Sequence, residues 1–365
     1  MKSFFLQNRI RSGVIIAVIL LLLLITGSLW APDAFFRAYW FALMVWAQLS
    51  IGALIVLLLQ YLTGGEWGRA AAPILRAIAC GLFLLLPLFI PALFALPHIF
   101  SWTQIEPGVS VPVLVNKLPW LNPSAFLVRT VVYLTAFSVV LLLRYRDPIS
   151  TVAGPFLVLV IVMISFCSAD WMMSLQPTFY SSLYPFLYFS GAMVSTFSVT
   201  TGIIAWMQLK GMMPSHPELL LAFGKLLFTS VLFWGYIVFC QFIIIWTGNL
   251  PDEAEWYIVR SEPAWLWFTL LVLACHFAVP FCILLSQDVK KNARQLLAIC
   301  IGLFAVHLLE VFWMMRPTPG AGFNASPFDI LLPLVIGAGW LWFVLGSREI
   351  VLLASTFSPH EAHES

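Results

Sequence analysis

Residues 34–62, AFFRAYWFALMVWAQLSIGALIVLLLQYL, run for 29 positions with a single charged side chain. A helix needs about 20 predominantly apolar residues to cross the hydrocarbon core of a bilayer. A surface helix of a soluble domain would carry a polar face through such a stretch, and none interrupts this one. The strands of a membrane barrel would instead alternate apolar and polar positions in short segments. The stretch therefore predicts a transmembrane α-helix.

Nine further stretches repeat the pattern, at roughly 12–30, 70–97, 122–143, 150–169, 178–209, 217–247, 263–287, 293–315 and 328–350. Several exceed 25 residues, which predicts tilt or protruding ends. The composition agrees, with 62% hydrophobic and only 9% charged residues. A soluble domain carries about a quarter charged residues, so most of this surface must face something other than water. A net charge of +2 with no basic run excludes a nucleic-acid partner. The cytoplasmic connections expected here are short, and no Walker-type phosphate loop occurs, which argues against nucleotide-driven transport.

Basic residues set the orientation. Lys2, Arg9, Arg11, Arg69, Arg144, Arg146, Lys210, Lys290, Lys291, Arg294 and Arg348 fall on one side, against Lys117, Arg260 and Arg316 on the other. Both termini are thus expected in the cytoplasm, with the first apolar run kept as a helix and not cleaved as a signal peptide. The opposite side carries the two longest connections, 98–121 and 248–262, the second holding Asp252, Glu253 and Glu255. A solvated acidic loop and a docking surface for extracytoplasmic partners both fit that run. Prolines 87, 91, 155, 185 and 280 fall within spans and predict kinks, while Gly191, Gly202 and Gly224 predict close helix packing. The six cysteines (80, 167, 240, 275, 282 and 300) lie in apolar segments and read as small core residues. They form no C-x-x-C pair, so no disulfide framework, iron–sulfur site or attached haem is expected.

Ionisable residues inside a membrane cost about 2.5–3.5 kcal/mol each on insertion scales, so their positions are informative. Glu310 lies well inside the ninth span, with His307 three residues before it on the same helical face. Asp170 ends the fifth span, His98 the third, and Arg129 lies two turns into the fourth. This set suits quinol oxidation near the outer face, with Asp170 or His98 accepting a hydroxyl proton and Arg129 holding Asp170 ionised. A structural Arg129–Asp170 pair tying two helices is the alternative, and a hydrogen-bonded His307–Glu310 pair has the same status. His276, near the middle of the eighth span, joins His307 and Glu310 as a proton-path candidate. Counting 1.5 Å per residue puts His276 and His307 about 10 Å apart in depth, so opposed haem ligation is not expected. Arg76 and Lys225 read as snorkelling side chains. No carboxylate lies deep in the cytoplasmic half.

The string Asp170-Trp-Met-Met-Ser-Leu-Gln-Pro177 fits D-W-x-M-S-L-x-P, with Asp170, Trp171, Ser174 and Pro177 at the fixed positions. It precedes an aromatic run from Phe179 to Gly191, and a further run follows from Gln241 to Tyr257. Together these stretches resemble the smaller NrfD-like membrane subunit of bacterial alternative complex III, a quinol:cytochrome c oxidoreductase. The resemblance implies an all-α membrane fold of two four-helix bundles, 34–169 and 170–315, flanked by helices in 1–33 and 316–365. It implies quinol, such as menaquinol, as the ligand, and no haem or iron–sulfur cluster held by this chain. It further implies assembly with multihaem cytochrome c subunits, an iron–sulfur subunit, a larger NrfD-like paralogue and a terminal oxidase in the bacterial cytoplasmic membrane. The subunit would take part in quinol binding and oxidation or in coupled proton translocation. A structural anchor for extracytoplasmic cytochromes and a secondary transporter are the competing readings.

Overall fold

The computed structural model describes residues 2–104, 112–143, 149–320 and 322–347. Arg144, Arg146, Arg348 and the tail beyond lie outside the described residues. The chain is an all-α, multi-pass membrane protein. Its helices are α1 (Lys2–Trp30), α2 (Pro32–Thr63), α3 (Glu66–Phe94), α4 (Leu96–Ile99), α5 (Pro112–Lys117), α6 (Pro123–Leu143) and α7 (Ile149–Trp171). They continue with α8 (Tyr184–Leu209), α9 (Pro217–Gly248), α10 (Pro251–Arg260), α11 (Pro263–Leu273), α12 (Val279–Leu284), α13 (Gln287–Lys291), α14 (Ala293–Met315) and α15 (Phe328–Leu345). A π-helical turn, Ala274–Ala278, joins α11 to α12. Among the described residues, ten segments are long and apolar enough to cross a membrane, α11 and α12 together making one of them.

Two groups of four spans pack around α2 and α8. The first is α2 with α3, α6 and α7; the second is α8 with α9, α14 and the α11–α12 unit, and the groups meet where α2 lies against α8. The apolar cores of α2 and α8 are 89% and 83% buried, whereas that of α1 is 6% buried, which separates central from peripheral spans. Both flanking helices, α1 and α15, pack against α2. Proline occupies the first helical turn of α2, α8, α9, α10 and α11, where a missing N–H costs nothing. Asn249 closes α9 in the left-handed conformation, at φ 47°. The chain therefore has a long-loop face, carrying the connections after α3, α7, α9 and α14. On the opposite, short-loop face Gly64 and Gly65 turn α2 into α3 at positive φ.

Three expectations change. The sixth span begins at Tyr184 and not near 178, because residues 172–183 cross between the bundles in irregular backbone with a 3-10 turn, Met173–Leu175. Pro185 accordingly sits in the first turn of α8 and kinks nothing. The irregularity expected at Pro280 in the eighth span takes the form of a π turn, since Pro280 cannot donate to the carbonyl of residue 276. The connection 248–262 is not a simple acidic loop, since α10 fills it and buries Trp256, Val259 and Arg260.

Candidate functional site

Asp170 ends α7 with its side chain wholly buried. Trp120 Nε1 donates to Oδ1 at 2.7 Å, and Arg129 Nε donates to Oδ2 at 2.7 Å. Arg129 Nη2 adds a bond to Oδ1 at 3.0 Å, and the Tyr133 hydroxyl donates to Oδ2 at 2.7 Å. A carboxylate offers about four acceptor positions, and here four donors fill them. The Arg129 guanidinium also lies 4.1 Å from the Trp120 ring, so its open face is stacked. The following motif residues serve the same crossover. Trp171 donates to Thr130 and its carbonyl accepts from Trp40, while the Ser174 hydroxyl donates to the Asp170 carbonyl. Lys117 Nζ donates to the carbonyls of Pro177, Thr178 and Phe179 at 2.8–3.2 Å. Burial pushes the Lys117 ammonium below its ordinary value.

His98 does not join this group. Its Nδ1 lies 2.6 Å from Asp33 Oδ1, its ring stacks on Phe36, and it is 39% exposed at the long-loop face. The predicted trio of Asp170, Arg129 and His98 therefore reduces to a saturated ion pair and a separate surface pair. A terminal residue of a span can face in any direction around the helix, and α4 turns His98 away.

The second cluster is built from three spans. Glu310 and His307 project from α14, Trp234 from α9 and His276 from the π turn. His307 Nδ1 lies 2.9 Å from Glu310 Oε2, and Trp234 Nε1 donates to Oε1 at 3.0 Å. The His276 ring meets Trp234 edge to face at 4.4 Å and stands 6.4 Å from the His307 ring. The rings stand closer than the difference of about 10 Å in backbone depth, because helical side chains lean toward the N-terminus of their helix and these two antiparallel spans lean the imidazoles toward each other. That removes the depth argument against haem ligation. Glu310, His307 and His276 are all fully buried. Both nitrogens of His276 and Nε2 of His307 have no hydrogen-bond partner among the described residues.

Gly191 of α8 makes the cluster possible. A Cβ there would lie 2.9 Å from both Glu310 oxygens and from Gln48 Nε2. Gln48, from α2, donates to the Tyr188 carbonyl and leaves its own Oε1 unpartnered. The hydroxyls of Tyr184, Tyr188 and Ser198, on the same face of α8, are likewise buried without partners. So is the amide of Gln241, two turns along α9 from Trp234. Buried polar groups in proteins are nearly always satisfied, so these atoms stand out from an otherwise apolar interior.

The ligating atoms of His276, His307 and Glu310 lie within 4.8 Å of one another. Zinc–nitrogen bonds of about 2.0–2.1 Å bring tetrahedral ligands to about 3.4 Å, so the trio would have to contract around a metal. As arranged, it suits proton exchange: a carboxylate bonded to one imidazole, with a second imidazole open to accept.

Sequence reasoning missed Arg260, counted above as a loop charge. It is 2% exposed and donates to the carbonyls of Trp256, Trp313 and Met314 at 2.8–3.1 Å. Its guanidinium lies 3.5 Å from the Trp256 ring. Burial pushes it down to about 9, still charged at neutral pH. Only the tryptophans at 256 and 313 hinted at such a stacked position. No protein-family model matches the chain, and none of the curated proteins matches it.

Proposed function

We propose that this chain is a membrane subunit of a respiratory quinol-oxidising complex, and that its own part is to move protons through the Glu310–His307–His276 cluster. The observation that carries the reading is a buried carboxylate with two imidazoles whose remaining nitrogens have no partner. Proton carriers must exchange partners, and groups already saturated cannot do so. The lane of unpartnered hydroxyls and amides on α8, α2 and α9 supports the same reading. Ser198 lies on the short-loop side of Gly191, and Tyr184, Tyr188 and Gln241 lie on the long-loop side, so polar groups flank the cluster in both directions. The D-W-x-M-S-L-x-P resemblance supplies the biological setting, with quinol as reductant and c-type cytochromes and iron–sulfur partners as electron carriers. The long-loop face is then extracytoplasmic and available to those partners.

The Asp170 network favours the anchor reading for its own half of the molecule, because a saturated carboxylate has nothing left to offer a substrate. The experiment is a mild-detergent pull-down of the tagged protein from its native membrane, read by a reduced-minus-oxidised spectrum and by quinol turnover. Co-purifying c-type haem with turnover that collapses in Glu310→Gln supports the proposal. A colourless, solitary protein from well-solubilised membranes rejects it.

A further inference from the structure

Among the described residues, the one buried carboxylate oxygen with no partner lies near the long-loop face, far along the chain from any residue discussed for quinol above. Asp329 begins α15 with its side chain 4% exposed. Its Oδ2 accepts from Arg316 Nη2 at 2.9 Å and from the Ser326 backbone N–H at 2.7 Å. Its Oδ1, buried, has no partner, and neither has the Ser326 hydroxyl. Both residues line a pocket of about 340 Å³ between α14 and α15. Phe268, Phe312 and Phe323 form one wall, their ring centroids 5.6–6.2 Å apart. Ala305 and Leu308 of α14 line this pocket and also a second apolar groove of about 470 Å³ between α14 and α8. Positions 297, 301, 305, 308 and 312 share one face of α14, so the combined groove follows that helix for about 22 Å.

We infer that this groove is a quinol-binding site, with a ring hydroxyl donating to Asp329 Oδ1 and the prenyl tail lying along α14. Naming the occupant a quinol rests on the respiratory reading above. The chemistry of the pocket narrows the choice independently. Asp329 and Arg316 already neutralise each other, so a cationic head would add uncompensated charge to an apolar pocket. An anionic head would meet a bare carboxylate oxygen. A neutral hydroxyl donor on an aromatic ring satisfies Oδ1 and stacks on the phenylalanine wall. A long apolar tail fills the rest, where the lining is apolar apart from the Ser198 hydroxyl. The larger cleft of about 610 Å³ between α9 and α11 is less suited. There Thr269 bonds to Arg260 and Trp313, Ser261 bonds to Tyr257, and Trp234 donates to Glu310. Behind the Asp329–Arg316 pair lies a polar cavity of about 60 Å³ lined by Arg37, Ser101, Gln176 and Thr318.

The test uses the full chain in lipid nanodiscs, with a short-tailed naphthoquinol and its dimethyl ether as probes, and a photoreactive naphthoquinone for mapping. The label should fall in 301–312 and 323–334. Asp329→Asn should weaken naphthoquinol at least about tenfold and leave the ether, which cannot donate, unchanged. Ala305→Trp fills the groove while keeping the ion pair, and should expel both probes even if Asp329→Asn fails to fold. Labelling beside Asp170 or Trp234, equal affinity for quinol and ether, or unchanged binding in Ala305→Trp would overturn the site. Bound phospholipid that naphthoquinol fails to displace would overturn it too. The two readings part cleanly here. Quinol binding without cytochrome partners keeps this site and rejects the respiratory complex; cytochrome partners without binding here do the reverse.

Discussion

Asp170 and Glu310 are both fully buried carboxylates, one in each bundle, and their surroundings differ in kind. Asp170 receives four hydrogen bonds from Trp120, Arg129 and Tyr133, and the neighbouring motif residues tie down the crossover behind it. Glu310 receives two, from Trp234 and His307, and sits among ring nitrogens, hydroxyls and amides with no partner. A saturated carboxylate is held by its neighbours and contributes to stability. An under-partnered cluster is a cost to folding, which a protein retains where exchange of protons or water is needed. Burial alone thus does not distinguish a structural acid from a working one, whereas the count of filled acceptor positions does.

Arg129→Ala tests the structural side of the contrast most severely. Removing one partner of a buried ion pair leaves the other uncompensated, at a cost of about 3–5 kcal/mol. The variant should lose thermal stability or fail to appear as a monodisperse peak in detergent chromatography; a wild-type melting curve would contradict the structural role of Asp170. Glu310→Gln keeps the shape of the side chain, so the fold should survive. Turnover of the assembled complex should fall about 100-fold or more, the range expected for loss of a proton-transfer group. Unchanged turnover would place the working carboxylate elsewhere. Gly191→Ala presses a methyl group toward Glu310 and Gln48, at about 1–3 kcal/mol for overpacking. Its melting temperature should fall, and proton uptake should fall with it if the cluster is the path. His98→Ala is the mildest change. An exposed pair with Asp33 is worth at most about 1 kcal/mol, so stability and turnover should stay near wild type.

These outcomes also mark how far the sequence could be read. Glu310 and His307 are three residues apart on one helix, so their pairing was local and legible. Arg129 and Asp170 were legible because opposite charges at the same end of neighbouring spans attract in a medium that solvates neither. His98 misled, since depth along a span says nothing about the direction a side chain faces. His276 was set too far from His307 by a count along the backbone, which leaves out the lean of side chains from antiparallel helices. Arg260 and Asp329 were passed over as loop and boundary charges. Their burial comes from α10 folding back and from the packing of α15 against α2 and α3.

The sequence by itself determined the helices, because a backbone in hydrocarbon must satisfy its hydrogen bonds within each span and the apolar runs have the length to cross. It also determined the pairs made within one helix. Only the tertiary structure decided which groups meet across helices, which acceptors are filled and which remain open. Those outcomes depend on helix rotation, on the π turn before Pro280 and on the close approach that Gly191 allows. Each is set by packing between spans distant in the chain, and no local pattern encodes it.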